Sequence, residues 1–187
     1  LNPSKVNIKA LLSPSIYDLI AQVTPDLVEK IYILNVLNEN ETDVCLLLKS
    51  FGKEVGIKPK YMMFRTSRSI NFFSDTIVFY NKDITLIDPS KVLLNNYLKQ
   101  IQIDTNNYEP IIFNYGKTVI NLYNLEPQEL SRLNNEQPLT SLIDINFCID
   151  FIATIEDDLP IYMQNIIGLM FKKIFYNLKQ FIDSVNV

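Results

Sequence analysis

Between Leu159 and Val187 the chain carries a helical apolar pattern too broad to be left uncovered. Phe171, Phe175, Leu178, Ile182 and Val185 recur at steps of four and three, and Ile167, Met170, Ile174 and Phe181 form a second stripe beside them. Residues three and four apart share one side of an α-helix. Lys172, Tyr176, Lys179 and Asp183 take the opposite side and predict its wet face. One stripe is enough to seat a helix on a sheet, so the other must meet further helices of the chain or another molecule. The stripe Phe171, Phe175, Leu178, Ile182 and Val185 is therefore the candidate interface.

The segments upstream supply what such a helix would cover. Over the first 55 residues the patterns read as mainly helical. Tyr17, Leu19, Ile20 and Val23 suit a short helix after Ser13-Pro14-Ser15, and Thr24-Pro25-Asp26 has the order of an N-cap, a first-turn proline and a first-turn acid. Leu27, Val28, Ile31, Leu34 and Leu37 follow at near-helical spacing up to the polar run Asn38-Glu39-Asn40-Glu41. Thr42 to Phe51 fits a helix or a buried strand. Residues 58–155 read as mainly β, with a short helix near 90–101 behind Asp88-Pro89-Ser90. One expected hairpin joins Asp75–Tyr80 to Ile84–Ile87 through Asn81-Lys82-Asp83, and a second joins Ile111–Phe113 to Thr118–Tyr123. Ile143, Ile145, Phe147, Ile149 and Phe151 alternate with polar residues, the period of a strand with one buried face. The expected fold is one α+β domain over 1–187, with N-terminal helices, a mostly antiparallel central sheet and a long amphipathic C-terminal helix over 159–187.

Chemistry is constrained by what is missing. The 187 residues include no histidine, which removes Ser-His-Asp triads, Cys-His pairs and histidine metal ligands. Two cysteines cannot supply a four-ligand zinc site, and four glycines leave little for a phosphate-cradling loop. Gly116-Lys117-Thr118 ends like a P-loop, but Ile111 stands where that motif needs its first glycine, and the residues that follow are β-prone. Cys45 and Cys148 sit in apolar company and predict buried reduced thiols, with a long-loop disulfide or reactive thiols as the alternatives. No cofactor is expected.

Two constellations keep binding chemistry open. Lys53, Lys58, Lys60, Arg65 and Arg68, interleaved with Tyr61 and Phe64, form a basic segment suited to phosphate or a nucleic-acid backbone, with Lys58, Lys60, Arg65 and Arg68 as the candidate residues. A net charge of −4 argues against a dedicated nucleic-acid binder. Asp144, Asn146 and Asp150 fall on one face of the predicted strand and offer oxygen ligands for Mg²⁺ or Mn²⁺ in a carboxylate-only hydrolase. The other reading of these residues is a solvated strand face. From Glu126 to Asp158 there are eight carboxylates and one arginine, an acidic stretch that can meet the basic segment within one molecule or between copies.

The apolar run from Leu159 to Phe171, closed by Lys172-Lys173, is shorter than the roughly 20 residues a membrane-spanning helix needs. No signal-peptide pattern opens the chain. Phe, Tyr, Met, Ile, Asn and Lys supply 84 of the 187 residues and Gly, Ala, Arg and Pro only 19, the signature of an AT-rich genome such as that of a virus, phage, low-GC bacterium or protist. The expectation is a soluble, non-enzymatic structural or assembly subunit, intracellular or virion-associated. It would act through protein partners or as a homo-oligomer, and a virus or phage component is favoured. Nucleic-acid binding and metal-dependent hydrolysis are the alternatives.

Overall fold

A computed structural model of the chain describes residues 11–14, 16–50, 58–71, 73–74, 76–104, 106–112, 114–123, 128, 131–132, 144–148 and 161–185. These form an α+β fold of helix α1 (Ile16–Val23), strands β1 (Val28–Asn38), β2 (Glu41–Leu48), β3 (Lys60–Asn71) and β4 (Thr76–Asp83), helices α2 (Ile84–Ile87) and α3 (Val92–Gln100), strands β5 (Glu109–Pro110), β6 (Gly116–Tyr123) and β7 (Asp144–Cys148), and helix α4 (Ile161–Val185). The sheet runs β1-β2-β3-β4-β6-β7 with antiparallel neighbours throughout. β4 pairs with β3 only from Phe64 onward. The two-residue β5 pairs in parallel with the vacant start of β3, at Lys60 and Tyr61.

Helices cover both faces of the sheet. On one, α1 and α4 bury Ile20, Ile167, Met170 and Ile174 against Val44, Leu46, Leu48, Met62 and Phe64. On the other, α2 and α3 bury Ile84 and Tyr97 against Cys45, Leu47, Tyr61 and Met63. Burial on both sides explains the sequence of β2, where seven consecutive residues, Thr42 to Leu48, are buried with no alternation. Each fully buried aliphatic side chain contributes about 1.5–3 kcal/mol.

The same sandwiching corrects the expectation that residues 1–55 are mainly helical. Among the described residues α1 and Leu11 are helical, while Val28–Asn38 and Glu41–Leu48 are strands. Thr24 ends a helix rather than starting one. Its amide and hydroxyl both donate to the Ile20 carbonyl, at 3.1 and 2.5 Å, and its own carbonyl accepts from Leu27 and Val28 in a turn through Pro25-Asp26. Beyond it Val28, Ile31, Tyr32, Ile33 and Val36 favour a strand, and three register shifts along β1 stretch the apolar spacing toward a helical one. The polar run at 38–41 is a hairpin turn, in which the Asn40 amide donates to Asn38 Oδ1.

Two expected hairpins are also replaced. β4 runs straight through Asn81-Lys82-Asp83, and Ile84–Ile87 is a helical turn. Asp83 caps it, accepting from the Thr85 amide at 2.8 Å and the Thr85 hydroxyl at 2.7 Å. Thr118–Tyr123 lies in β6 and pairs with β4 and β7, while Ile111 donates to the Tyr61 carbonyl beside β3. The helix expected near 90–101 is α3, with Asp88 accepting from the Ser90 and Leu93 amides.

The end of α3 carries local strain. Ile103 donates to the Leu98 carbonyl and Gln102 to the Lys99 carbonyl, the bond pair of a Schellman motif, but its left-handed residue is Gln102 at φ 55 rather than glycine. A side chain there costs about 1–2 kcal/mol, partly offset because glycine has more freedom to lose on folding. Gln102→Gly is therefore expected to stabilise the fold by roughly 0.5–1 kcal/mol, read as a urea midpoint shifted upward.

Candidate functional site

The structure separates the basic segment that the sequence places together. Lys53 lies outside the described residues. Lys58 and Lys60 sit at the start of β3, where Lys60 pairs closely with Glu109 of β5 and Lys58 stands 4.0 Å from the same carboxylate. Arg65 lies on the α3 side of the sheet and forms a fork with Asp43, directly opposite in register, through Nε at 2.7 Å and Nη2 at 2.9 Å. Arg68 lies on the other side, donating to Asn40 Oδ1 at 2.9 Å and to the Leu12 carbonyl at 3.0 Å. Eight residues of strand, about 26 Å, separate Lys60 from Arg68. These four cations do not make one patch, and each holds an internal partner.

The carboxylate constellation is only partly described. Asp144 and Asn146 lie in β7, paired by register with Tyr123 and Asn121, while Asp150 and the side chains of the other two lie outside the described residues. Among the described residues no group of three His, Cys, Asp or Glu side chains is placed to hold a metal ion. Gly116-Lys117-Thr118 opens strand β6, with no helix behind it to complete a P-loop.

On α4 the candidate interface turns inward, and this corrects the sequence reading. Leu178 and Ile182 are buried against Leu11, with Ile16, Leu19 and Val23 packed around them, while Phe171 and Phe175 are half-buried. The Val185 side chain lies outside the described residues. Phe171 and Phe175 line a void of about 80 Å³ shared with Tyr17, Met62 and Phe64. Its polar end holds the Tyr17 hydroxyl donating to Asn81 Oδ1 at 3.1 Å, beside a fully buried Thr66 hydroxyl that makes no well-formed hydrogen bond. A space of that size is smaller than the roughly 150 Å³ cavity that accommodates benzene.

The apolar surface of α4 lies on its outer side. Tyr162, Ile166, Leu169 and Tyr176 follow one another at steps of four, three and seven, with Ile161 at the helix start, and all five are exposed, Ile161 by 76% and Leu169 by 65%. This band lies opposite the buried line Ile167, Met170, Ile174 and Leu178. Sequence periodicity hides it, because Tyr176 reads as part of the wet face and Ile166 and Leu169 as part of a broad apolar one. No helix among the described residues is long and apolar enough to cross a membrane. No family model matches this sequence, and a comparison with curated proteins finds no match.

Burial leaves a second mark on the interior. It pushes the Tyr17 phenol up to about 12 and the Cys45 thiol up to about 12. Burial, with the hydrogen bond to Asp43 next, also raises Tyr97 to about 12. Cys45 is a free, buried thiol. Each of these groups binds its proton more tightly folded than unfolded, so its contribution is complete below the ordinary pKa of 9 to 10 and is lost as pH climbs toward 12. Urea midpoints measured against pH are expected to hold to about pH 9 and then fall steeply, with tyrosinate absorbance rising as the fold is lost. Titration of Tyr17 and Tyr97 in a fold that stays intact would contradict this burial.

Proposed function

We propose that this chain is a non-enzymatic assembly subunit that associates with a second copy of itself through the outer face of α4. The supporting observation is the exposed band of Ile161, Tyr162, Ile166, Leu169 and Tyr176 on a helix whose opposite side is fully engaged. A pairing of two antiparallel α4 helices, centred between Ile166 and Leu169, sets each of these residues against the other in the second copy. At these exposures, the five side chains offer on the order of 600 Å² per copy, approaching the roughly 800 Å² per partner of a standard interface. Tyrosine is favoured at such contacts because one end is apolar and the other hydrogen-bonds.

One edge of the sheet supports a contact by helix rather than by strand. β1, an end strand, carries three irregularities in register, along with Glu29 and Lys30, features that disfavour edge-to-edge pairing there. The AT-rich composition favours a virus or phage component within this reading. The basic segment supports nucleic-acid binding less well, because its cations are dispersed and paired. Light scattering over a concentration series tests the reading: a mass of twice 21.7 kDa or more is expected, and 21.7 kDa at every concentration would refute self-association.

A further inference from the structure

We infer that the open half of the sheet, formed by Tyr80 and Lys82 of β4 with Tyr115 and Lys117 at the start of β6, binds single-stranded nucleic acid. Along β4 the residues Ile77, Phe79, Asn81 and Asp83 are buried while Tyr80 and Lys82 point outward and are exposed. In the antiparallel register Tyr80 faces Lys117 and Asn81 faces Gly116, and Tyr115, immediately before β6, sets its ring against that of Tyr80. Aromatic and cationic residues therefore alternate along both segments, with Tyr80 and Lys117 paired across them. Tyr80 and Tyr115 are 37% and 39% exposed, with ring centroids 5.9 Å apart and tilted by 42°. α3 covers the other half of this face, over Cys45, Leu47, Tyr61 and Met63, and stops short of these four residues.

The charge is available at this position. Among the described residues neither Lys82 nor Lys117 has an ion-pair partner. Nearby carboxylates are engaged elsewhere: Asp43 with Arg65 and Tyr97, Asp83 with Thr85, and Glu41 with Ser67 and Asn38. Diagonal neighbours on adjacent strands stand about 7–8 Å apart, close to the separation of successive phosphates in an extended single strand. A flat sheet face cannot enter a duplex groove, whereas unpaired bases can stack on exposed aromatic rings. Two tyrosines and two lysines match two nucleotides, one ring and one cation for each. The surface is separate from α4 and is independent of the assembly reading.

Fluorescence anisotropy with a labelled oligothymidylate about 20 nucleotides long tests this directly, with the matching duplex and polyglutamate as competitors. The single strand is expected to bind at low salt and to resist both competitors, with log affinity falling against log salt at a slope of about −1.4 for two phosphates. Lys82→Gln/Lys117→Gln should weaken binding at least tenfold and flatten the slope. Tyr80→Leu/Tyr115→Leu should weaken it about tenfold per ring with the slope kept. The lysine pair keeps the test intact if the tyrosine pair disturbs folding. Lys58→Gln/Lys60→Gln should change nothing. Failure to bind at low salt would overturn the inference. So would displacement by polyglutamate, which points to an acidic protein, or loss of binding in the Lys58/Lys60 variant alone.

Discussion

Asp43→Ala is expected to destabilise the fold by about 3–5 kcal/mol, a large share of the 5–15 kcal/mol that holds a domain together. Asp43 lies in a strand covered on both faces, and its carboxylate is fully buried. Three donors converge on it: Arg65 Nε at 2.7 Å, Arg65 Nη2 at 2.9 Å and the Tyr97 hydroxyl at 2.6 Å from α3. Removing the carboxylate leaves a guanidinium only 22% exposed and a buried phenol without their acceptor. Unpaired buried donors account for most of the penalty. Arg65→Lys should recover only part of the pairing, because an ammonium cannot bridge both oxygens. Asp43→Leu/Arg65→Met separates the cost of breaking the pair from its net worth and should lie much nearer wild type than Asp43→Ala. A urea series places all four proteins on one scale. A loss below about 1 kcal/mol for Asp43→Ala would mean that solvent reaches the pair.

Leu178→Asp is expected to be as damaging or worse. Leu178 is 3% exposed and, with Leu11 and Ile182, closes the core between α4 and α1. Truncation alone, as in Leu178→Ala, costs about 2–5 kcal/mol. A carboxylate in the same apolar site adds its desolvation, so the chain should fail to fold at neutral pH and regain stability only where the acid is protonated. Far-ultraviolet circular dichroism against temperature reads the outcome. A folded Leu178→Asp protein at neutral pH would place this stripe on the surface and restore the candidate interface that the sequence suggests.

How much of this was legible in the sequence differs between elements for physical reasons. α3 could be read from the Asp88-Pro89-Ser90 start before it, and α4 because its apolar residues recur at helical spacing. The alternation at Ile143–Phe151 marks β7 in the same way. β2 stayed open between a helix and a buried strand because a strand covered on both sides loses its alternation, β1 escaped because register shifts stretch its apolar spacing, and Thr24-Pro25 serves equally well to stop α1 as to start a helix. Ile84–Ile87 is β-prone in composition, yet the Asp83 cap turns it into a helix, a contact that propensity does not register. At the sites the missing information is non-local. Arg65 finds Asp43 across a neighbouring strand, and Arg68 finds Leu12 from 56 residues away, so a run of charges in sequence becomes separate internal pairs. Tyr80 and Lys82 were hidden by reading Asn81-Lys82-Asp83 as a turn, and their neighbours Tyr115 and Lys117 arrive only through the β4–β6 register.

The breadth of α4 was visible from the start, but which part of it faces outward was not. The stripe through Leu178 and Ile182 is core, and the band through Ile166 and Leu169 is surface. Light scattering on Leu169→Asp beside the wild type tests the assembly reading most directly. A wild-type mass of at least twice 21.7 kDa and a Leu169→Asp mass of 21.7 kDa are expected, with the thermal midpoint of the dissociated chain close to that of wild type diluted to monomer. A wild type that stays at 21.7 kDa would contradict it, as would a Leu169→Asp protein that unfolds as Leu178→Asp does.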